Sequence, residues 1–522
     1  MKMIAELLSG FFPGVLSGFL SGFLSGFLSV AAEALSFLCA AVVFFCGIFL
    51  LIVLRGAPFS RPRLFLSALK NDRENGGTAG GPARKGEKDG GAISPVRALL
   101  FALGGTLGAG NIVGVSAALI EGGPGALLWM WAAGFAAMPV KYAEVTLALS
   151  SRVRGEDGKR HGGAMYYLRP ASLRPVFAAI CLCSSFSLGN VIQVRAAADA
   201  FSILGVPPLL CAALLAAAAF LTLIGGVRAM SSLSAKLIPF LCALYTLACL
   251  FVIGSNISAL PGVLASVLSG AFSFRAAAGG VGGFALARAL RPIGCGVCRG
   301  IMSNEAGCGT APIAHSESAQ RSPARQGVLG VIEVFVDTVL LCGLTGLTVL
   351  TVFPELPTDI SDASALASGA FESVFGSAAG VFLAFALAAF AFATLICWAH
   401  YGSEALYYLR NFHKNKISVR GKPDRKRDLL YVFLFCFVSL LGALPLHSVL
   451  WSVTDLCVCL MTLINCFGMT AAILNGPGSR RRGRSRRNRG KNPPGKGRIP
   501  PSERQAPLSD RSRSRRSGGR PG

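Results

Sequence analysis

Asn111 sits in GGTLGAGNIVG, the polar centre of an apolar stretch that runs from Ser94 to Gly125. A neutral amide can coordinate a small cation or hydrogen-bond a carboxylate. Glycines at 104, 105, 108, 110 and 114 stand where a plain membrane-spanning helix would carry Leu or Val. Each costs a helix interior about 1 kcal/mol against Ala, and backbone groups freed inside lipid cost more. Such a break is tolerated where it lines a cavity. The carbonyls of Gly104 to Leu107, with Thr106 between them, are then open to a cation. The amides that begin the second half point a positive dipole end at an anion. Close packing of glycine-rich helices, with no ligand, is the other reading.

A second interruption lies in RGIMSNEAGCGTAPIAHSESA, where Asn304 and Glu305 precede Gly307 and Gly309. An ionisable residue at membrane depth is costly and tends to be functional. Two polar pairs stand in other apolar stretches. Asn190 and Gln193 are three apart and Thr394 and Trp398 four apart, so each pair shares a helical face. Each could form a pocket wall facing the break or make hydrogen bonds between helices. Lys141 with Glu144, Arg195 with Asp199, and Glu333 with Asp337 suit gates or interhelical contacts. Nucleophile triads, metal clusters and phosphate-binding loops are not recognisable, so the reading is not that of an enzyme. Cys295 and Cys298 form a lone C-x-x-C, read as small residues in a helix.

These residues need membrane helices to position them. The 522 residues are 53% hydrophobic and 14% charged, which excludes an ordinary soluble enzyme and indicates a polytopic membrane protein. Spans of roughly 20 apolar residues fall near 33–54, 94–120, 126–150, 174–204, 207–225, 234–256, 284–316, 326–352, 374–410, 429–446 and 449–474. With the loop after the first span inside, alternate loops collect Lys and Arg, as cytoplasmic loops do. The two interrupted spans, second and seventh, lie five apart, the spacing that two inverted five-helix repeats would produce.

Four regions follow from composition. Residues 1–32 are a low-complexity apolar segment in which Ser-Gly-Phe-Leu recurs, and 33–92 hold an extra helix and a Gly-rich linker. Residues 93–475 form a core of ten helices. Residues 476–522 are an arginine-rich tail with 16 Lys/Arg against 2 Asp/Glu from Arg480 onward. A disordered cytoplasmic tail drawn to anionic lipid fits this composition better than RNA binding, so no nucleic-acid partner is expected. The sixteen cysteines lie mainly within spans, which does not suit a disulfide framework.

The segments ISPVRALLFALGGTLGAGNIVGVSAALIEGGPGALLWMW, KYAEVTLAL, HGGAMYYL, GNVIQV, RGIMSNEAGCGTAPIAH, QGVLGVIEVFVDT and FAFATLICWAHYG resemble the alanine/glycine:cation symporter family, also called sodium:alanine symporters. The resemblance covers roughly residues 92–470. It implies an all-α polytopic protein with a leucine-transporter-like fold, about eleven transmembrane helices, and two inverted five-helix repeats. It also implies sodium-coupled uptake of alanine or glycine by alternating access across the inner membrane; the tail lies outside the resemblance and is read as cytoplasmic from its composition and the alternation of loop charge. The family's motif residues fall on Gly110, Asn111, Gln193, Thr394 and Trp398, and the substrate-binding set is read as Thr106, Gly110, Asn111, Gln193, Asn304 and Trp398. By the same analogy the co-transported sodium ion would meet the carbonyls of Gly104 and Leu107 and the Thr394 hydroxyl. Ala109 stands where many members have Thr, removing one hydroxyl. A proton-coupled transporter, or a channel or sensor on the same scaffold, is the alternative. The oligomeric state does not follow from the sequence.

Overall fold

A computed structural model describes residues 30–57, 59, 92–155, 158–272, 282–357, 362–412, 425–444 and 448–475. The repeat at 14–29, nearly all of the linker at 71–92 and the tail at 476–522 lie outside the described residues. The described residues up to Ile473 belong to one compact unit; of a second, Leu474–Gly522, only Leu474 and Asn475 are described.

The described secondary structure is helical apart from one small hairpin and an isolated bridge. In chain order the principal helices are α1 (Val30–Val53), α2 (Pro95–Thr106), α3 (Val113–Gly122), α4 (Ala126–Ser150), α5 (Leu173–Ser202), α6 (Pro208–Ile224), α7 (Gly226–Ser255), α8 (Leu260–Ala271), α9 (Gly282–Asn304), α10 (Ala311–Ser316), α11 (Pro323–Val352), α12 (Ala363–Phe375), α13 (Ala378–Phe412), α14 (Arg425–Ser439) and α15 (Ser448–Leu474). Strands β1 (Val153–Arg154) and β2 (Arg160–His161) pair antiparallel, with Val153 opposite His161. Ser94 starts α2 by accepting a hydrogen bond from the Arg97 amide, and Pro95 occupies the first turn, where a missing N–H does no harm.

Six of these helices, α1, α5, α7, α11, α13 and α15, are long and apolar enough to cross a membrane, and the bent pair α2–α3 makes a seventh. The remaining four expected spans are present as helices but fall short of that measure for physical reasons. Lys141 and Glu144 interrupt α4, and Arg291 and Arg299 interrupt α9, which breaks before α10. Helix α6 has 17 residues, and α14 is a short apolar helix of the same class. Two stretches read as loops, 257–283 and 353–370, contain helix α8 and the start of α12.

Burial runs opposite to that of a soluble globule. Leu214, Leu221, Phe240, Leu247, Phe433 and Phe467 are exposed on helix faces, whereas Lys141, Glu144, Glu333, Asp337 and Thr345 are fully buried. Apolar tails accept the first set, and the second set finds hydrogen-bond partners only inside the bundle. Helices α4 and α9 meet along a glycine seam. A Cβ added at Gly296 would lie 2.2 Å from the Ala126 carbonyl oxygen, and one at Gly300 would lie 3.0 Å from that of Met130. Small residues at such positions let helix backbones touch.

Candidate functional site

Helix α2 stops at Thr106 because Leu107 turns to extended geometry, with φ −74° and ψ 109°. One tight turn, Ala109–Asn111, leads into α3, and the two halves bend by 71°. The Thr106 hydroxyl is spent locally, donating to the Leu103 carbonyl at 3.3 Å. The Leu107 carbonyl points outward and meets the Thr394 hydroxyl of α13 at 3.0 Å; that hydroxyl is also 3.1 Å from the Phe390 carbonyl. Leu107 and Thr394 are therefore brought together. Gly104 lies one turn earlier against Ala393 and Ser234, a Cβ there being 3.6 Å from the Ser234 Oγ.

Asn111 is buried and fully engaged. Its Oδ1 accepts from the Gly108 amide at 3.1 Å, closing the break on itself. Its Nδ2 donates to Asp337 Oδ1 at 2.8 Å and to Ser303 Oγ at 3.0 Å. Ser303 donates in turn to Asp337 Oδ2 at 2.8 Å. Asp337 lies in a widened stretch of α11, Phe335–Cys342, where the backbone bonds skip to the fifth residue. Such insertions re-aim side chains and occur often at functional sites. The amide expected to be open to a ligand thus serves here as the joint between the two broken spans.

Open polar groups stand on the other side of the break. A Cβ at Gly108 would lie 3.1 Å from Gln193 Oε1 and 3.6 Å from Thr394 Oγ1, so both groups face that glycine. Gln193 follows a second widened stretch, Ser187–Val191 in α5, and its Nε2 makes only a 3.3 Å bond to the Leu188 carbonyl. Gln193 Oε1, Ser234 Oγ and Trp398 Nε1 are buried with no hydrogen-bond partner among the described residues. An unpaired buried polar atom costs about 1–3 kcal/mol and is uncommon unless something else satisfies it. Trp398 lies flat against Gly189, where a Cβ would be 2.1 Å from its own Cβ, and packs edge-on to Tyr401 with ring centres 5.5 Å apart. Gly110 borders open space, with no atom within 4 Å of an added Cβ.

A bent span with unpaired polar atoms around its break is the geometry of a binding site within a helical bundle. The sodium:alanine symporter family model matches residues 23–476. The chain belongs to that family. Among similar proteins, the sodium/alanine symporter AgcS of Methanococcus maripaludis is 32% identical over 392 residues, 73% of this chain and 82% of the relative. The probable sodium/glutamine symporter GlnT of Bacillus subtilis is 32% identical over 380 residues, 72% of this chain and 75% of the relative. A solved structure of MhsT in complex with L-phenylalanine is similar at 16% identity with a TM-score of 0.47, covering 71% of this chain and 87% of that one.

In this family member the second break is locked rather than open. Asn304 donates to the Gly300 carbonyl at 2.7 Å and to Thr338 Oγ1 at 3.0 Å, and its Oδ1 accepts from the Ala306 amide at 2.9 Å. It connects to the first break through Thr338, which donates to Asp337 at 2.9 Å. Glu305 has φ +50°, uncommon for a residue with a side chain, and its carboxylate accepts from the Thr310 hydroxyl at 2.7 Å. Lys141 pairs with Glu333 at 3.3 Å and donates to the Asn304 carbonyl at 2.9 Å, so its partner is not the Glu144 beside it in sequence. Glu144 instead accepts from the Gly309 amide at 3.1 Å. Arg195 and Asp199 form an i,i+4 ion pair.

The sequence pattern groups Asp337 with the interhelical charges and does not single out Ser303 or Ser234. Nothing local marks Ser303 or Ser234, since a lone serine in an apolar helix is ordinary. Asp337 carried a signal, a carboxylate within a span, but its partner Asn111 is 226 residues away.

Proposed function

We infer that the chain, by its family and membrane architecture, is a transporter rather than an enzyme. We propose that it carries a small neutral amino acid, alanine or glycine, together with sodium, by alternating access across the inner membrane, with the arginine-rich tail cytoplasmic. The observation that carries this reading is the pair of buried, unpaired atoms Gln193 Oε1 and Ser234 Oγ, at Gly108 and Gly104 of the break, with Trp398 Nε1 also unpaired on the helix that carries Thr394. A zwitterion supplies what they lack. Its ammonium donates to Gln193 Oε1, and its carboxylate accepts from Trp398 Nε1 and from a backbone amide next to Gly110. Trp398 fills the space that a larger side chain would need. Asn111 acts by holding the break in shape through Asp337 and Ser303, and Thr106 and Asn304 support the two breaks from behind.

Sodium, as the second cargo, suits hard oxygen donors. The Leu107 carbonyl and the Thr394 hydroxyl are two such donors already side by side, with Gly104 and Ser234 one turn away. Oxygen donors of this sort make sodium the better fit than a proton, which would need a titrating group beside the substrate. The test is uptake of radiolabelled alanine into proteoliposomes under an imposed sodium gradient. Saturable, sodium-dependent uptake is expected. Uptake driven by a pH gradient without sodium would transfer the coupling to a proton, and the absence of any uptake of alanine or glycine would overturn the reading.

A further inference from the structure

At one end of α13, beyond Trp398, lies a group of side chains that the transport site does not use. His400 and Glu404 are four apart and so share one face of α13. Glu317 approaches them from the segment after α10, and one donor atom from each of the three lies within 4.8 Å of the others. All three are buried. His400 Nε2 stands 3.4 Å from Glu317 Oε1 but not in hydrogen-bonding geometry, and it has no hydrogen-bond partner among the described residues. A buried ring nitrogen aimed at two carboxylates is a poor arrangement for protein alone.

We propose that Glu317, His400 and Glu404 form a site for a divalent transition-metal ion of the zinc class. A tetrahedral ion with bonds of about 2.0–2.2 Å has ligand-to-ligand edges of about 3.4 Å. The His400–Glu317 separation already has that length. Two carboxylates and a neutral imidazole cancel the charge of a divalent cation and leave a fourth position for water. Imidazole and carboxylate together suit Zn²⁺ and Co²⁺ better than Mg²⁺ or Ca²⁺, which favour oxygen alone.

The surroundings hold the ligands in place. Glu317 is fixed by its backbone: its carbonyl accepts from the Ile93 amide at 3.0 Å, and the Ala319 amide donates back to Ile93 at 2.7 Å. The Arg152 guanidinium donates to the carbonyls of Ser316, Ser318 and Gln320 along the same segment. His161 of β2 contacts Glu404 Oε2 through Nδ1 at 2.8 Å and stacks on Tyr407 with ring centres 3.8 Å apart. That is the support from behind that orients ligating groups in metal sites. The sequence does not show this cluster because Glu317 is 83 residues from His400 and its supporting His161 is 243 residues from Glu404.

The test uses the purified full chain, freed of metal with a chelator and titrated with Co²⁺ and then Zn²⁺. One equivalent of Co²⁺ should bind with the visible bands of a tetrahedral nitrogen–oxygen site and be displaced by Zn²⁺. His400→Ala and Glu404→Gln should each abolish those bands, and His161→Phe should weaken binding by about 10–100-fold. Gel-filtration behaviour and melting of each metal-free variant show whether it is folded, and Glu317→Gln gives a further ligand variant if one is not. Cys295→Ser with Cys298→Ser should change nothing. Failure to bind, binding unchanged in the folded ligand variants, or a near-ultraviolet thiolate charge-transfer band lost with the two cysteines would overturn the proposal. None of these measurements depends on which solute is carried.

Discussion

Replacing Gln193 by Leu should make the protein more stable and a worse transporter at the same time. Gln193 Oε1 is buried without a partner, and removing it relieves a penalty of about 1–3 kcal/mol. The same change loses the 3.3 Å bond from Nε2 to Leu188, a net contribution of about 0.5–1.5 kcal/mol. Leu is close to Gln in volume, so packing changes little. The balance is a gain on the order of 1 kcal/mol in the substrate-free protein. Transport moves the other way, because a hydrogen bond from an ammonium is worth about 1.5–3 kcal/mol, roughly 10- to 150-fold in kcat/KM. Melting of the detergent-purified protein and initial rates of alanine uptake in proteoliposomes measure the two effects. Lower melting with normal uptake would refute the reasoning, since it would mean that the amide is structural and its open oxygen incidental.

Thr394→Val, which keeps the shape but removes the hydroxyl beside the Leu107 carbonyl, should raise the sodium concentration for half-maximal uptake by about tenfold or more, at about 1.4 kcal/mol per tenfold; Thr394→Ser should stay near normal. Gly189→Ala forces a methyl to within 2.1 Å of Trp398 Cβ. It should cost about 1–3 kcal/mol by overpacking and change the fluorescence of Trp398 as well as uptake. Lys141→Met leaves the Glu333 carboxylate buried without its cation. A loss of about 3–5 kcal/mol is expected, read as poor yield of folded protein, with partial recovery in the Lys141→Met, Glu333→Gln pair.

The broken span was legible because glycine and asparagine are conspicuous in an apolar stretch, and the break falls at Leu107–Gly108 inside it. The order of helices was legible for the same reason, since hydropathy and charge alternate along the chain. Local spacing put Asn190 and Gln193 on one helical face, and both are buried. What it could not supply was partner choice. Lys141 has Glu144 within one turn yet pairs with Glu333, and Asn111 finds Asp337 across the bundle. Widened helical turns at Ser187–Val191 and Phe335–Cys342 shift which residues share a face, and no residue type announces them. Helices α8 and α12 were missed because each is too short to read as a span.

The glycine seam between α4 and α9 has a mechanical consequence. Where side chains interdigitate, rotamer changes let one helix slip past another; where a carbonyl rests on a bare Cα, as Ala126 does at Gly296, no side chain can yield. The first half of the second broken span is thereby keyed to α4 like a spline in its slot. In the proposed transport cycle both helices would then tilt as one lever, and the unwound residues between Asn304 and Ala311 would be the place that bends.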